Sequence, residues 1–289
     1  MSRVTVKHLI FSEHVQRWIP ARSRRTLSSL TVERLSIIHY NVWFEPYAQA
    51  ARTQALTALL DTADADVVCL QEVTPYVEVR LLACDWVREE CEVVSCIDDS
   101  AKYGSLFLSR LPIARASWLP LDSIMGRVCM SLELHGAGGL KILSTHLEST
   151  REMAPTRAMQ LGQIHDWIAE EPEVILLADM NFDPSEPEER IMPPGFRDTW
   201  LLLRGGATGH TQDATANSML GRVSPGKHTR YDRIYYCGAT WIPSRVERLG
   251  VQAVSATEGA DRHSNEIFIS DHFGLSVELA KCADSVPAA

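Results

Sequence analysis

Five apolar runs in this chain each stop at a residue able to do chemistry. Leu-Ser-Ile-Ile-His-Tyr runs into Asn41, Val-Val-Cys-Leu-Gln into Glu72, and Lys-Ile-Leu-Ser-Thr into His146. Val-Ile-Leu-Leu-Ala ends at Asp179 with Asn181 just beyond, and Ile-Phe-Ile-Ser ends at Asp271 and His272. One polar ending says little, because every strand must stop somewhere. Five endings drawn only from Asn, Asp, Glu and His predict one convergent site, since a rigid sheet fixes the backbone while the following loop exposes the side chain. Carboxylate and amide oxygens without thiolates suit a hard cation, Mg²⁺ or Mn²⁺, which keeps part of its shell for water and phosphate oxygens. A further Asp can take a proton from attacking water, and a histidine can stabilise charge on a non-bridging oxygen. Metal-assisted phosphoester hydrolysis is the chemistry these parts fit.

Each residue alone has a plainer reading. Glu72 can end a strand and meet solvent, His146 can be a hydrogen-bonded core residue, and the Asp-Met-Asn-Phe-Asp-Pro stretch from Asp179 makes a good turn. Only the joint pattern lifts them. His146-Leu-Glu148 with the distant His272 could imitate a two-histidine, one-carboxylate iron site, but that would leave Glu72, Asp179 and Asn181 without a task. Residues 221–228, Gly-Arg-Val-Ser-Pro-Gly-Lys-His, nearly match a phosphate-cradling loop. There, however, His228 replaces the Ser/Thr that would reach Mg²⁺, and no apolar strand precedes it. The chain has neither a G-x-S-x-G elbow nor a G-x-G-x-x-G turn, so a serine hydrolase and a dinucleotide fold lack their sequence basis.

The elements that must carry these residues follow from periodicity. β-branched runs predict strands over 35–41, 66–71, 92–97, 105–109, 127–134, 140–146, 173–178, 231–237 and 274–279. Helices are expected over 47–63, with Ala48, Ala51, Ala55, Leu56, Leu59, Leu60 and Ala63 on one face, and over 155–169, where Pro155 suits the first turn. Many strands with few helices mean an α/β or α+β class. No repeat or low-complexity linker divides the chain, which reads as a basic N-terminal extension (1–32), one catalytic-sized domain (33–282) and a short tail (283–289).

The 289 residues carry 28 Lys and Arg against 37 Asp and Glu, a net charge of −9, with 45% hydrophobic residues. That composition excludes general disorder, and the acidic body argues against a broad sequence-independent grip on nucleic acid. No apolar run approaches the ~20 residues of a membrane span, so no membrane association is expected. Seven cysteines without a C-x-x-C pair suggest neither a disulfide framework nor structural zinc, and a reducing compartment, nucleus or cytoplasm, is expected. The first 30 residues hold six basic residues and one acid, a composition compatible with mitochondrial targeting.

Asn41, Leu70-Gln71-Glu72, Ala178-Asp179-Met180-Asn181 and Ser270-Asp271-His272 resemble, in order, the four hallmark motifs of the endonuclease/exonuclease/phosphatase superfamily over most of residues 35–280. The eight residues from Ser144 to Arg151, Ser-Thr-His-Leu-Glu-Ser-Thr-Arg, look like the version found in the type-2 tyrosyl-DNA phosphodiesterase family, and residues 196–200, 230–234 and 269–275 are similar too. The resemblance implies two packed, mostly antiparallel sheets flanked by helices, a four-layer DNase I-like sandwich. It implies that Glu72 and Asp271 bind Mg²⁺ with support from Asn41. Asp179 would activate water, Asn181 would orient it, and His272, held by Asp232, would stabilise the transition state. His146 and Ser149 would bind the phosphate, and Arg127 and Tyr103 would line a DNA path. The implied reaction is hydrolysis of the bond between a tyrosine and a 5′ DNA end, as in repair of trapped topoisomerase adducts, by a monomer. Other phosphodiesters (abasic DNA, RNA, phospho-head-groups) and a non-catalytic adaptor are the alternatives.

Three positions depart from that pattern. His39-Tyr40-Asn41-Val42-Trp43 stands where the family commonly has Thr-Trp-Asn-x-Asp, Asp183 where it often has Arg, and Gln212 where it has an aromatic residue. All three are expected around the DNA groove, and Gln212 is expected to remove a stacking partner of Arg127.

Overall fold

The computed structural model describes residues 6–21, 30–97, 102–254 and 266–282. Two strand–helix–strand units form its framework. Arg34–Asn41 leads through the helix Gln49–Ala63 to a parallel partner, Val67–Val73, and Lys141–His146 leads through Ala154–Ile168 to its own parallel partner, Val174–Asp179. Parallel neighbours need such a crossover, because the chain must return to the end from which it started. Every other pairing in the two large sheets is antiparallel.

The first sheet has eight strands in the order Trp241–Leu249, Gly274–Lys281, Arg34–Asn41, Val67–Val73, Gly104–Ser109, Glu92–Ser95, Lys7–Ser12 and Arg17–Pro20. The second has six: Arg197–Asp198, Asp232–Cys237, Val174–Asp179, Lys141–His146, Val128–Leu134 and Ile113–Pro120. Their inner faces pack through Leu35, Ile37, Val67, Phe107, Ile142, Ile175, Ile234 and Val277. The outer face of the first sheet carries Ile38, Val68 and Leu70 against Leu56 and Leu60 of the first helix; the outer face of the second carries Leu176 and Ala178 against Leu161 and Ile164. Both faces of the central strands are therefore buried, which is why they read as unbroken apolar runs rather than alternating ones. The expected four-layer sandwich is the observed one.

Two expectations need correction. Residues 7–20, assigned to a basic extension, instead supply the last two strands of the first sheet, where Lys7–Ser12 pairs with Glu92–Ser95 and His8 Nε2 lies 2.8 Å from Glu92 Oε2. The first helix turns Arg52 and Thr53 inward together with Leu56 and Leu60, rather than the alanine-rich face. Arg52 belongs there because its guanidinium binds five backbone carbonyls that no helix or strand satisfies, those of Val42, Trp43, Glu45, Tyr47 and Ile269. The 283–289 tail lies outside the described residues.

Candidate active site

Because both crossover units run parallel, the carboxyl ends of four strands gather at one edge of the sandwich, and these are the ends that carry Asn41, Glu72, His146 and Asp179. Antiparallel neighbours add the beginnings of two more strands. Asp232 sits directly opposite Asp179 in the register, and Leu275 opposite His39, which brings the preceding Asp271 and His272 to the same edge.

Local backbone devices then aim the side chains. Glu72 lies where the Val67–Val73 ladder slips against Gly104–Ser109, in the left-handed region at φ 57°, so its carboxylate is turned out of the pleat. Asn181 is also left-handed, at φ 53°. Such non-glycine backbones cost roughly 1–3 kcal/mol each and cluster at functional sites. The Ser270-Asp271-His272 loop is pinned by Ser270 Oγ donating to the Asn41 carbonyl (2.7 Å), Asn217 Nδ2 donating to the Ser270 carbonyl (2.8 Å) and Arg52 Nε donating to the Ile269 carbonyl (2.9 Å).

The surroundings push two imidazoles there in opposite directions. Burial, Arg127 and His272 all push the His146 pKa well below its ordinary value. Arg127 Nη1 donates to His146 Nδ1 at 2.9 Å, so the proton of the neutral ring sits on Nε2, 3.4 Å from Asp179 Oδ2. At His272, burial opposes the charge but is outweighed by Asp232 and Asp271, whose carboxylates raise its pKa well above the usual value. His272 Nδ1 lies 2.6 Å from Asp232 Oδ2. Environments that split like groups in this way mark acid–base roles.

Asp179 accepts from Asn41 Nδ2 (2.8 Å) and from the Asn181 backbone N–H (3.0 Å), and burial together with Asp232 raises its pKa. Asn181 Nδ2 donates to the Leu147 carbonyl and to Ser149 Oγ, which also accepts from Arg127 Nη2. Arg127 stands 5.8 Å from the Tyr103 ring, itself stacked on Phe44 at 4.7 Å. Glu72, Tyr103, Arg127 and His146 line one open cavity of about 330 Å³.

The donors fit a divalent cation. Burial pushes the Glu72 carboxyl up to about 7, with Asp271 adding to the rise, and burial also raises Asp271, with Asp232 adding to it. Two buried carboxylates, each beside a further acid, are what a hard ion would neutralise. Asp179, Asp232 and His272 also converge, but Asp232 and Gln212 occupy both ring nitrogens of His272, so His272 is held by hydrogen bonds rather than left free to ligate an ion. Asn41 is tied to Asp179 and to the Trp43 N–H (3.0 Å), which makes it a positioner of the acid as much as a support for an ion.

The departures resolve differently. Gln212 does not lie beside Arg127; its carboxamide is 2.7 Å from His272 Nε2, within the chemical core. Asp183 accepts from the Ser185 N–H and hydroxyl and caps its own turn, and Trp43 packs its ring 4.6 Å from the Arg52 guanidinium. Glu148, the carboxylate of the iron-site alternative, accepts from Ser123 Oγ, the Ile124 and Met125 N–H groups and Gln160 Nε2, and thus shapes a loop. Sequence reasoning missed Arg52 and also His39, fully buried with Nε2 3.4 Å from Asp232 Oδ1. A lone polar residue inside an apolar strand was the available signal for His39.

Opposed sheets with acids and imidazoles at one edge define a class, and the chain belongs to it: the Endonuclease/Exonuclease/phosphatase family, whose model matches residues 38–272. Within that family it is similar to the 5′-tyrosyl-DNA phosphodiesterase of Caenorhabditis elegans (25% identical, covering 74% of this chain) and to human tyrosyl-DNA phosphodiesterase 2 (27%, covering 79%). The matched region spans 60% and 63% of those relatives' lengths. The fold superposes on zebrafish tyrosyl-DNA phosphodiesterase 2 in complex with a single-strand DNA product, with a TM-score of 0.72 at 24% identity, covering 85% of this chain and 98% of that one. It also superposes on the human Nocturnin catalytic domain, with a TM-score of 0.64 at 14% identity, covering 88% and 95%.

Proposed function

We propose that the chain is a divalent-metal-dependent phosphodiesterase that acts, as a monomer, on the bond between a tyrosine and a 5′ DNA end. The observation that carries the reading is the joining of Glu72, Asp179, His146 and the Asp232–His272 pair at one strand edge; the names of the relatives supply the substrate. Glu72 and Asp271 would hold Mg²⁺, with Mn²⁺ as a substitute, and such an ion would supply charge neutralisation for the phosphoryl oxygens. Asp179, made more basic by burial and aimed by Asn41, accepts the proton of the attacking water, which Asn181 orients. His272, its Nδ1 held by Asp232, stabilises the charge that grows on the phosphoryl oxygens through Nε2 once the Gln212 carboxamide gives way to substrate. His146 Nε2–H and Ser149 bind the phosphate, and Arg127 and Tyr103 line the approach. Tyrosine phenolate, with a pKa near 10, leaves without strong protonation.

A second reading, hydrolysis of another phosphodiester, is favoured by two residues: Gln212 stands against His272, and Asp183 puts an acid where the resembling family has a base. One experiment separates them: Mg²⁺-dependent cleavage of a 5′-phosphotyrosyl oligonucleotide run beside its 3′-linked isomer and an abasic duplex. Preferential release of tyrosine from the 5′ substrate is expected. Cleavage of the abasic duplex alone would move the chain to the second reading. Absence of metal-dependent turnover on all three and on a nitrophenyl phosphodiester would overturn both in favour of an adaptor.

A further inference from the structure

Beside the site, residues Gln212–Asp213 and His228–Thr229 form a two-stranded ladder that places Asp213 opposite His228. His228 Nδ1 lies 3.1 Å from Asp213 Oδ1, and His210 Nδ1 lies 4.0 Å from Asp213 Oδ2, beyond hydrogen-bond reach. One ligand atom from each of the three residues falls within 4.8 Å of the others. The carboxylate is fixed beforehand, because Oδ1 accepts from the Thr215 and Ala216 N–H groups and Oδ2 is turned toward His210. His228 Nε2 faces Thr215 Oγ1 at 3.5 Å, an outer partner that can take the ring proton when an ion displaces the Nδ1 proton now shared with Asp213 Oδ1. All three side chains are partly exposed, so an ion can reach them.

We infer that His210, Asp213 and His228 form a second metal site, for a borderline transition ion of the Zn²⁺ class. The donors decide the class: two imidazoles and one carboxylate suit Zn²⁺ or Co²⁺, with water completing the shell, whereas the oxygen donors Glu72 and Asp271 suit Mg²⁺. The site ties the two strands of the hairpin together. That hairpin also presents Gln212 to His272, accepts the Phe273 N–H on the Thr211 carbonyl (2.7 Å) and accepts the Asp232 N–H on Thr211 Oγ1 (3.1 Å). An ion there stiffens the segment that holds the charged imidazole. The inference rests on this geometry and stands whether or not the phosphodiesterase reading holds.

The test is titration of the metal-stripped full chain with Zn²⁺ and with Co²⁺, in saturating Mg²⁺, followed by calorimetry, visible absorption and melting temperature. One equivalent is expected to bind, with cobalt bands of nitrogen and oxygen ligation and a rise in melting temperature. His210→Ala and His228→Ala should each weaken binding by more than the roughly 10–100-fold that loss of an outer partner costs, and should abolish the rise while melting like the wild type in chelator. Glu72→Gln should bind Zn²⁺ unchanged. Unaltered affinity in both histidine variants, a thiolate-to-cobalt charge-transfer band from the free cysteines, or displacement by Mg²⁺ would overturn the inference.

Discussion

The two ends of the inter-sheet face share their strands, register and burial, yet they do opposite work. At one end Leu35, Ile37, Val67, Ile142, Ile175 and Trp241 close a dry core; at the other, two or four positions beyond Ile37, Val67, Ile142 and Ile175 on their strands, stand His39, Asn41, Gln71, Ser144, His146 and Asp179. Burial of an apolar side chain contributes about 1.5–3 kcal/mol. A buried polar group contributes only when it is paired, and here the pairing is incomplete: the 3.4 Å contact of His39 Nε2 with Asp232 Oδ1 leaves both atoms without an aligned hydrogen bond. Stability therefore resides at one end and chemistry at the other, and the dry end bears the strain of positioning the wet one.

Substitutions that separate the two ends test this division. The largest effect belongs to Glu72→Gln and His272→Ala, each expected to lower turnover of the 5′-phosphotyrosyl oligonucleotide by about 10³-fold or more, roughly 4 kcal/mol; Glu72→Gln should hold or raise the melting temperature, whereas His272→Ala, which leaves the buried Asp232 without its partner, should lower it. Near-wild-type turnover in either variant would show that the site has been misassigned. Phe107→Ala should do the reverse, losing about 3–5 kcal/mol in urea unfolding while kcat per folded molecule stays put; a parallel loss of kcat would mean that the ends are not separable. Asp179→Asn keeps the shape but removes the proton acceptor, so kcat should fall about 10²-fold or more and its acidic limb should disappear from the pH–rate profile. His39→Leu, which touches only the back of Asp232, should lower kcat about tenfold with KM unchanged. Smallest is Cys69, at the boundary, 2.8 Å from Ser144 Oγ, its thiol pushed up to about 12 by burial. At pH 8 only about one molecule in 10⁴ would hold its thiolate, so iodoacetamide should label exposed Cys282 and spare Cys69 until the protein unfolds. Equal labelling would reveal local opening at the wet end.

The central strands were legible because burial on both faces forces unbroken apolar runs, and their polar endings announced the site. Edge strands were not. Ile113–Pro120 alternates Arg115, Ser117 and solvent-facing Trp118, and Trp241–Leu249 contains Pro243, Ser244, Arg245 and Glu247, because an edge needs apolar residues on one face at most. Residues 7–20 looked like a basic extension because Lys7 and Arg17 obscure two short strands that are only partly buried. Arg52 was not among the residues expected to face inward, since no helical periodicity shows that the loop after Asn41 lacks partners for its carbonyls. Gln212 was legible as a departure but not in its place, because contact with His272 spans 60 residues of sequence.

The strand Gly274–Lys281 lies inside the first sheet, between Arg34–Asn41 and Trp241–Leu249. Ribosomes deliver its two neighbours first. At about 5–20 residues per second, the edge of Arg34–Asn41 waits on the order of tens of seconds for the partner that will cover it. During that interval an apolar edge bearing Leu35 and Ile37 is open to foreign strands. The nascent chain should therefore depend on chaperones until residue 281 has emerged, and a stop codon before residue 274 should give aggregated protein rather than a shortened folded chain.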